Sequence, residues 1–431
     1  MSWTDRMWLD MSTSIMVGPL RLPGIDALRD AFCRLGELGE NTRLGYSISE
    51  DRAHWRFDPS ALPQLAHEAV VELDAPLVQV DTPEPEVLAL ANRLLVQSQR
   101  IPGPEATLII RAGSFLIYRQ NHALGDAQPI LNSVSALVHV AAGDDIPAWA
   151  RQEVIRNPVR VALTNTFGPG KQRLLPLVRQ RFTKPIEPRV PADPVAAEPV
   201  REPDLAVYFA VIGRDSWQRI KQWRRSSAED TSMASIYLIL ARRALRAVGV
   251  PVSVDTTVLY DCRRHLPAGV QARGNLVVGF CQQLPDDPVE AGRVIAATAT
   301  SGRVLLTLAS AIVKRHTITG PDDGPVNAVK SHSELAYVFA PRHRGIEMLP
   351  WLRPDLRGLG VLSTTSDLAG ITITLVFVGG RLSASWSFHR NVVDEGLIRA
   401  ATQLMDADPI SLLNQDSGEV FAEESELGRR D

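Results

Sequence analysis

At 431 residues, with 45% apolar and 22% charged side chains, the chain is long enough for two hydrophobic cores and has an ordinary globular composition, which excludes disorder as its default state. Its 46 basic and 49 acidic residues give a formal net charge of −3, so no nucleic-acid partner is expected from charge. Three cysteines, Cys33, Cys262 and Cys281, fit neither a disulfide framework nor a zinc site and imply a reducing compartment.

The start of the chain, Met1-Ser2-Trp3-Thr4-Asp5-Arg6, is acidic and aromatic where a signal peptide needs a basic and then an apolar run, so a cytoplasmic location is expected. Residues 83–98 place Val87, Leu90, Ala91, Leu94 and Leu95 on one helical stripe, with Glu84 and Glu86 complementing the helix dipole. Residues 106–120 read as two apolar strands joined through Ala112-Gly113-Ser114, the second leading directly to His122. Between 184 and 204, six prolines and alternating charges forbid regular helix and disfavour strand. That segment is expected to link an N-terminal domain, 1–183, to a C-terminal one, 205–431.

In the second half, a strand is expected at 205–212 and helices at 216–225 and 232–248. The latter puts Met233, Ile236, Tyr237, Leu240, Ala241, Ala244 and Leu245 on one face, with Arg242, Arg243 and Arg246 near its end. Further strands are expected at 252–260, 276–282, 371–378 and 382–388, and a last helix at 393–405. The longest apolar stretch, 368–378, is about half the length a spanning helix needs, so no transmembrane segment is expected, a peripheral membrane contact being left open. The expected architecture is mixed α/β in both halves.

His122 ends a buried strand within Asn121-His122-Ala123-Leu124-Gly125-Asp126. An imidazole, with an ordinary pKa of about 6.5, is neutral enough near pH 7 to take a proton from an attacking hydroxyl or amine. A lone histidine at a strand end is nevertheless more often structural. Asp126, buried beside the turn, needs a cationic partner, because an unpaired buried charge costs several kcal/mol, roughly. It is expected to be structural and to pair with an arginine.

The segment from Asn121 to Ala127 resembles the His-x-x-x-Asp-Gly signature of the CoA-dependent acyltransferase superfamily, which includes chloramphenicol acetyltransferase, peptide-synthetase condensation domains, polyketide-associated acyltransferases and wax ester synthases. The preceding hairpin, the Pro-rich crossover, and Tyr260-Asp261-Cys262-Arg263-Arg264 followed by Gly274-Asn275 resemble that superfamily's order of elements. The resemblance implies an α/β (α+β) fold of two chloramphenicol-acetyltransferase-like lobes meeting in a V, with a tunnel through the seam. It makes His122 the general base and Arg263 the partner of Asp126, or Arg264 if the register is shifted by one. It sets Asn275 near the tunnel. The implied reaction is direct attack on a thioester without an acyl-enzyme, the oxyanion held by amides near Gly125 or by a hydroxyl of Ser363-Thr364-Thr365-Ser366.

The same resemblance implies no bound cofactor or metal. An acyl-CoA or acyl carrier protein thioester would be the donor, and a small-molecule or lipid alcohol or amine the acceptor, in lipid or polyketide biosynthesis. A chain holding two lobes supplies its own interface, so a monomer is expected. Two departures stand out: Asn121 replaces the first histidine of the common pair, and Ala127 replaces the glycine after the aspartate. Neither removes the base, but both suit a catalytically silent, condensation-like docking module. A wax ester or diacylglycerol synthase is the third reading and predicts a greasy tunnel.

Other short motifs carry less. Gly168-Pro169-Gly170-Lys171 lacks phosphate-loop spacing, His67-Glu68 is followed by Val71 rather than a second histidine, and Pro321-Asp322-Asp323-Gly324 reads as a turn. Cys262 and Cys281 are expected to be buried thiols in strands. His389 ends a strand, as a structural residue or a tunnel wall. Lys314, Arg315, His316, Lys330, Arg342 and Arg344 form a basic cluster, either solvated or recognising the phosphates of a donor.

Overall fold

Strand-forming segments with one or both faces apolar assemble into two mixed sheets. The computed structural model describes residues 1–168, 203–317, 332–340 and 342–415. The turn at 321–324, Pro169 to Lys171, the side chains of Lys314, Arg315, His316 and Lys330, and all but the last two residues of the segment 184–204 lie outside the described residues.

The strands are β1 (Ser12–Gly18), β2 (Tyr46–Ile48), β3 (Trp55–Phe57), β4 (Val70–Leu73), β5 (Thr107–Ala112), β6 (Phe115–Asn121), β7 (Leu205–Ile212), β8 (Val252–Asp261), β9 (Val277–Gln283), β10 (Ser333–Ala340), β11 (Gly358–Leu362), β12 (Ile371–Val378) and β13 (Arg381–His389). One sheet has the order β11-β1-β6-β5-β4 and the other β7-β13-β12-β10-β8-β9, while β2 and β3 form a small ribbon. Six helices precede residue 168: α1 (Trp3–Arg6), α2 (Ile25–Gly36), α3 (Leu62–Ala69), α4 (Glu84–Gln97), α5 (Ala127–Ala141) and α6 (Pro158–Phe167).

The β5–β6 hairpin turns at Gly113, whose φ of 55° is left-handed and where a Cβ would stand 2.6 Å from the Pro76 carbonyl oxygen. Glycine is therefore required there. Strand β6 runs between β1 and β5 and is buried along nearly its whole length, which explains its apolar first half, Phe115 to Tyr118, and fixes where His122 emerges. Helices α2 and α5 cover one face of this sheet around Leu28, Phe32, Tyr118 and Leu137, and α4 covers the other around Leu94, Leu108 and Ile117. The helix Met233–Ala247 packs Ile236, Leu240 and Leu245 into the second core against Ile373, Trp386 and Phe388.

The division at 184–204 does not separate the two layers. Strand β11, from the second half, pairs antiparallel with β1 of the first, Leu362 lying opposite Ser14. Its other edge is met by alternate side chains of β13: the amides of Leu359, Val361 and Ser363 donate to Ser383, Ser385 and Ser387 Oγ at 3.1, 2.9 and 3.1 Å. Helix α6, from the first half, packs Ala162 into the second core. An exposed strand edge leaves backbone groups unpaired, and the crossover removes one at the seam. Elsewhere on the seam, the Asn92 side chain both donates to and accepts from the Phe209 backbone, at 2.7 Å each way, as a neighbouring strand would.

Among the described residues, no single helix is long and apolar enough to cross a membrane. Two expectations fail locally. Cys262 lies in a turn after β8 rather than in a strand, and Cys281, in β9, is exposed. Strand β9 is at a sheet edge with one face uncovered, so alternation there does not imply burial.

Candidate active site

Strand β6 ends at Asn121, and the chain then makes one 3-10 turn, His122–Leu124, before Asp126 caps α5. The turn is built by short bonds. Asn121 Oδ1 accepts from the Ala123 amide at 3.0 Å, the Gly125 amide donates to the His122 carbonyl at 3.1 Å, and the His122 amide donates to the Met11 carbonyl at 2.8 Å. A Cβ on Gly125 would stand 2.8 Å from the Pro129 ring, so the close approach of α5 excludes a larger residue.

Asp126 is 1% exposed and its carboxylate ties three segments together. Oδ1 accepts from the Gln128 amide at 3.3 Å, and Oδ2 accepts from the Leu276 amide at 2.9 Å and from Arg263 Nη1 at 2.8 Å. Arg263 also donates to the Gly274 carbonyl at 2.9 Å. Burial opposes the Arg263 charge, but the carboxylates of Asp126 and Asp261 outweigh it and hold the guanidinium's pKa above its ordinary value. The register is thus the unshifted one, with Arg263 and not Arg264 on Asp126.

Asn275 donates from Nδ2 to the His122 carbonyl at 2.8 Å, so it buttresses the turn from the second lobe. Gly274 before it has a φ of 75°, and a Cβ there would meet Asp5 Oδ1 at 2.9 Å. Asp5, from α1, pairs with Arg43 at 3.3 Å, and Arg43 donates to the Leu124 carbonyl at 3.0 Å. With Asn275 Nδ2 also donating to the Ala123 carbonyl at 3.4 Å, every carbonyl of the three-residue turn is held by a donor from elsewhere in the fold or from the turn itself.

The His122 ring is half-buried, and the indole of Trp8 stacks on it with centroids 4.4 Å apart. Nδ1 is buried and has no hydrogen-bond partner among the described residues. Burial pushes the imidazole pKa below the ordinary histidine value, against the opposing pull of the Asp126 carboxylate. A neutral imidazole can accept a proton.

Of the expected oxyanion donors, one is engaged and two are not. The Gly125 amide is committed to the His122 carbonyl, and Ser363 Oγ and Thr364 Oγ1 are buried without hydrogen-bond partners among the described residues. Both hydroxyls follow β11 at the sheet end where His122 emerges, since β1 is antiparallel to β6 and to β11. His389, 8% exposed, ends β13 with Nδ1 unpartnered among the described residues. Burial pushes the Cys262 thiol up to about 12, so it is no nucleophile. Of the basic cluster, Arg342 stacks over Phe377 at 4.7 Å and Arg344 begins a short helix, neither of them at this site. No group of side chains with metal-ligand character occurs among the described residues.

Trp8, Asp5 and Arg43 escaped the sequence reading. Their sole signal was a pair of tryptophans and an acidic residue near the start of the chain, which say nothing of a contact with residue 122.

No family model and no curated protein sequence matches the chain. Solved structures do. The first condensation domain of the calcium-dependent antibiotic synthetase matches with a TM-score of 0.56 at 14% identity, over 96% of this chain and 94% of that one. The chain has the condensation-domain fold. The condensation domain of the Monacolin K polyketide synthase MokA matches with a TM-score of 0.56 at 12% identity, over 95% and 94% of the two chains. TRI3, the trichothecene 15-O-acetyltransferase of Fusarium sporotrichioides, matches with a TM-score of 0.56 at 9% identity, over 94% and 91%. Condensation domains and an O-acetyltransferase thus share this two-lobed fold over more than nine tenths of their length.

Proposed function

We propose that this protein is an acyltransferase, moving an acyl or polyketide chain from a CoA or carrier-protein thioester to a hydroxyl or amine, with His122 as general base. The observation that carries the reading is the His122 turn itself, a half-buried imidazole biased toward its neutral form and braced by Asp126, Arg263 and Asn275 across the lobe seam. Its support from the fold is that the matching structures named above include a condensation domain and an O-acetyltransferase. In this mechanism Nε2 takes the acceptor's proton as its oxygen or nitrogen attacks the thioester carbonyl. The tetrahedral intermediate then collapses, re-forming the carbonyl, and the thiolate leaves with the proton from His122.

Thiol release from acyl-CoAs and acyl carrier proteins, measured over a panel of alcohols and amines, tests this directly. His122→Ala is expected to lose about 10² to 10⁴ in rate. Because burial depresses the His122 pKa, the base stays neutral to lower pH than an exposed imidazole would. The acid limb of the pH–rate profile therefore falls below about 6.5. Equal thiol release by wild type and His122→Ala with every donor would instead favour the silent docking module.

A further inference from the structure

Trp8 covers one face of the His122 ring, the two planes lying 22° from parallel. The segment that carries it is pinned on both sides. Before it, Ser2 Oγ accepts from the Asp5 amide at 3.1 Å, Asp5 pairs with Arg43, and Arg6 donates to the Ala53 carbonyl at 2.7 Å. At Trp8 itself the amide donates to the Asp5 carbonyl at 3.0 Å, and three residues later the Met11 carbonyl accepts from the His122 amide. The Asn121 side chain also donates to the Leu9 carbonyl at 2.8 Å. Indole and imidazole are thereby referenced to the same backbone, and Trp8 Nε1 is buried.

Stacking matters because, besides Asn275, little among the described residues fixes the His122 ring. Nδ1, which commonly orients a catalytic histidine through a hydrogen bond, has no such partner among the described residues. We propose that Trp8 is the positioning residue of His122, its indole face holding the imidazole in one orientation and keeping water from it so that Nε2 meets the acceptor as a neutral base. This rests on His122 being the general base. A flat apolar surface at stacking distance supplies both restraint and desolvation, the two things a missing hydrogen bond leaves undone.

The charged group that acts on the ring is Asp126 at the start of α5, itself paired with Arg263 after β8, while the Asp5–Arg43 pair braces the turn that carries the ring. All of these remain when Trp8 is changed, so a changed titration reports the ring cover rather than a lost charge.

Three proteins test the proposal: wild type, Trp8→Ala and Trp8→Phe, with His122→Ala identifying the His122 resonances. In an NMR titration, Trp8→Ala is expected to raise the His122 pKa toward the ordinary histidine value, while Trp8→Phe, which keeps a flat ring, titrates close to wild type. In thiol release, Trp8→Ala is expected to lower kcat about 10- to 100-fold with KM little changed, as for a misoriented catalytic group. Its acid limb moves to higher pH, and Trp8→Phe recovers most of the rate. Should Trp8→Ala not fold, Trp8→Leu empties less space and is expected to lower kcat in the same way. A Trp8→Ala protein, or failing that Trp8→Leu, with wild-type His122 titration and wild-type kcat overturns the proposal. The titration needs no turnover, so it decides the role of Trp8 even if wild type releases no thiol, a result that would sink the acyltransferase reading alone.

Discussion

Strands β6 and β8 belong to different lobes and end in the same way. Each closes on a short polar residue, Asn121 or Asp261, whose side chain accepts the amide two residues on, at 3.0 and 2.9 Å, and so starts a 3-10 turn. One turn carries the imidazole and the other carries the guanidinium that braces it. The surroundings of the two caps differ. Asn121 is 3% exposed and its amide also donates to the Leu9 carbonyl, whereas the Asp261 side chain is 50% exposed and lies 3.3 Å from Arg263. A neutral cap suits the buried position because an ionised one would need its own cation, and the charged cap is placed where water and an arginine serve it. The same local solution is reused, with charge admitted only where it can be compensated.

That contrast can be broken most severely at the point where the two turns meet. Asp126→Ala leaves Arg263 buried without its inner carboxylate and is expected to cost about 3–5 kcal/mol in chemical denaturation. Replacing Arg263 by methionine in the same protein should return part of that loss, and a double mutant no more stable than Asp126→Ala would show the pair to be unimportant. Asn121→Ala removes a buried cap and a second bond, and is expected to cost about 1–2 kcal/mol together with a fall in thiol release, since the His122 turn loses its start. Asp261→Ala removes a solvated cap, and the expected cost is under about 1 kcal/mol with activity nearly kept. Equal losses from these two alanine variants would refute the distinction between a buried and a solvated cap.

The sequence reading succeeded where a single element carried its own signal. Strands β12 and β13 were legible at 371–378 and 382–388, and the structure joins them through Gly379-Gly380, whose φ values of 61° and 81° are those a tight hairpin demands. The helix Met233–Ala247 showed its stripe and its terminal arginines. Strand β11 was not legible. Its sequence Gly-Leu-Gly-Val-Leu has no polar alternation because both faces are buried, and its partner β1 lies over 340 residues away, roughly, so no local pattern announces it. Within the site, His122 was visible as a strand-end histidine, but Asp126 and Arg263, separated by 137 positions, were joined through family resemblance alone. Trp8 left no trace, since a stacking contact has no spacing rule.

The three serines of β13 carry a mechanical consequence. Their hydroxyls accept from successive amides of β11, while the opposite edge of β11 is paired to β1. Prising the lobes apart along this line would strip three backbone amides of their acceptors together, so it cannot proceed one bond at a time. The strand acts as a rivet rather than a hinge, and motions that open the seam belong to parts of it remote from β11.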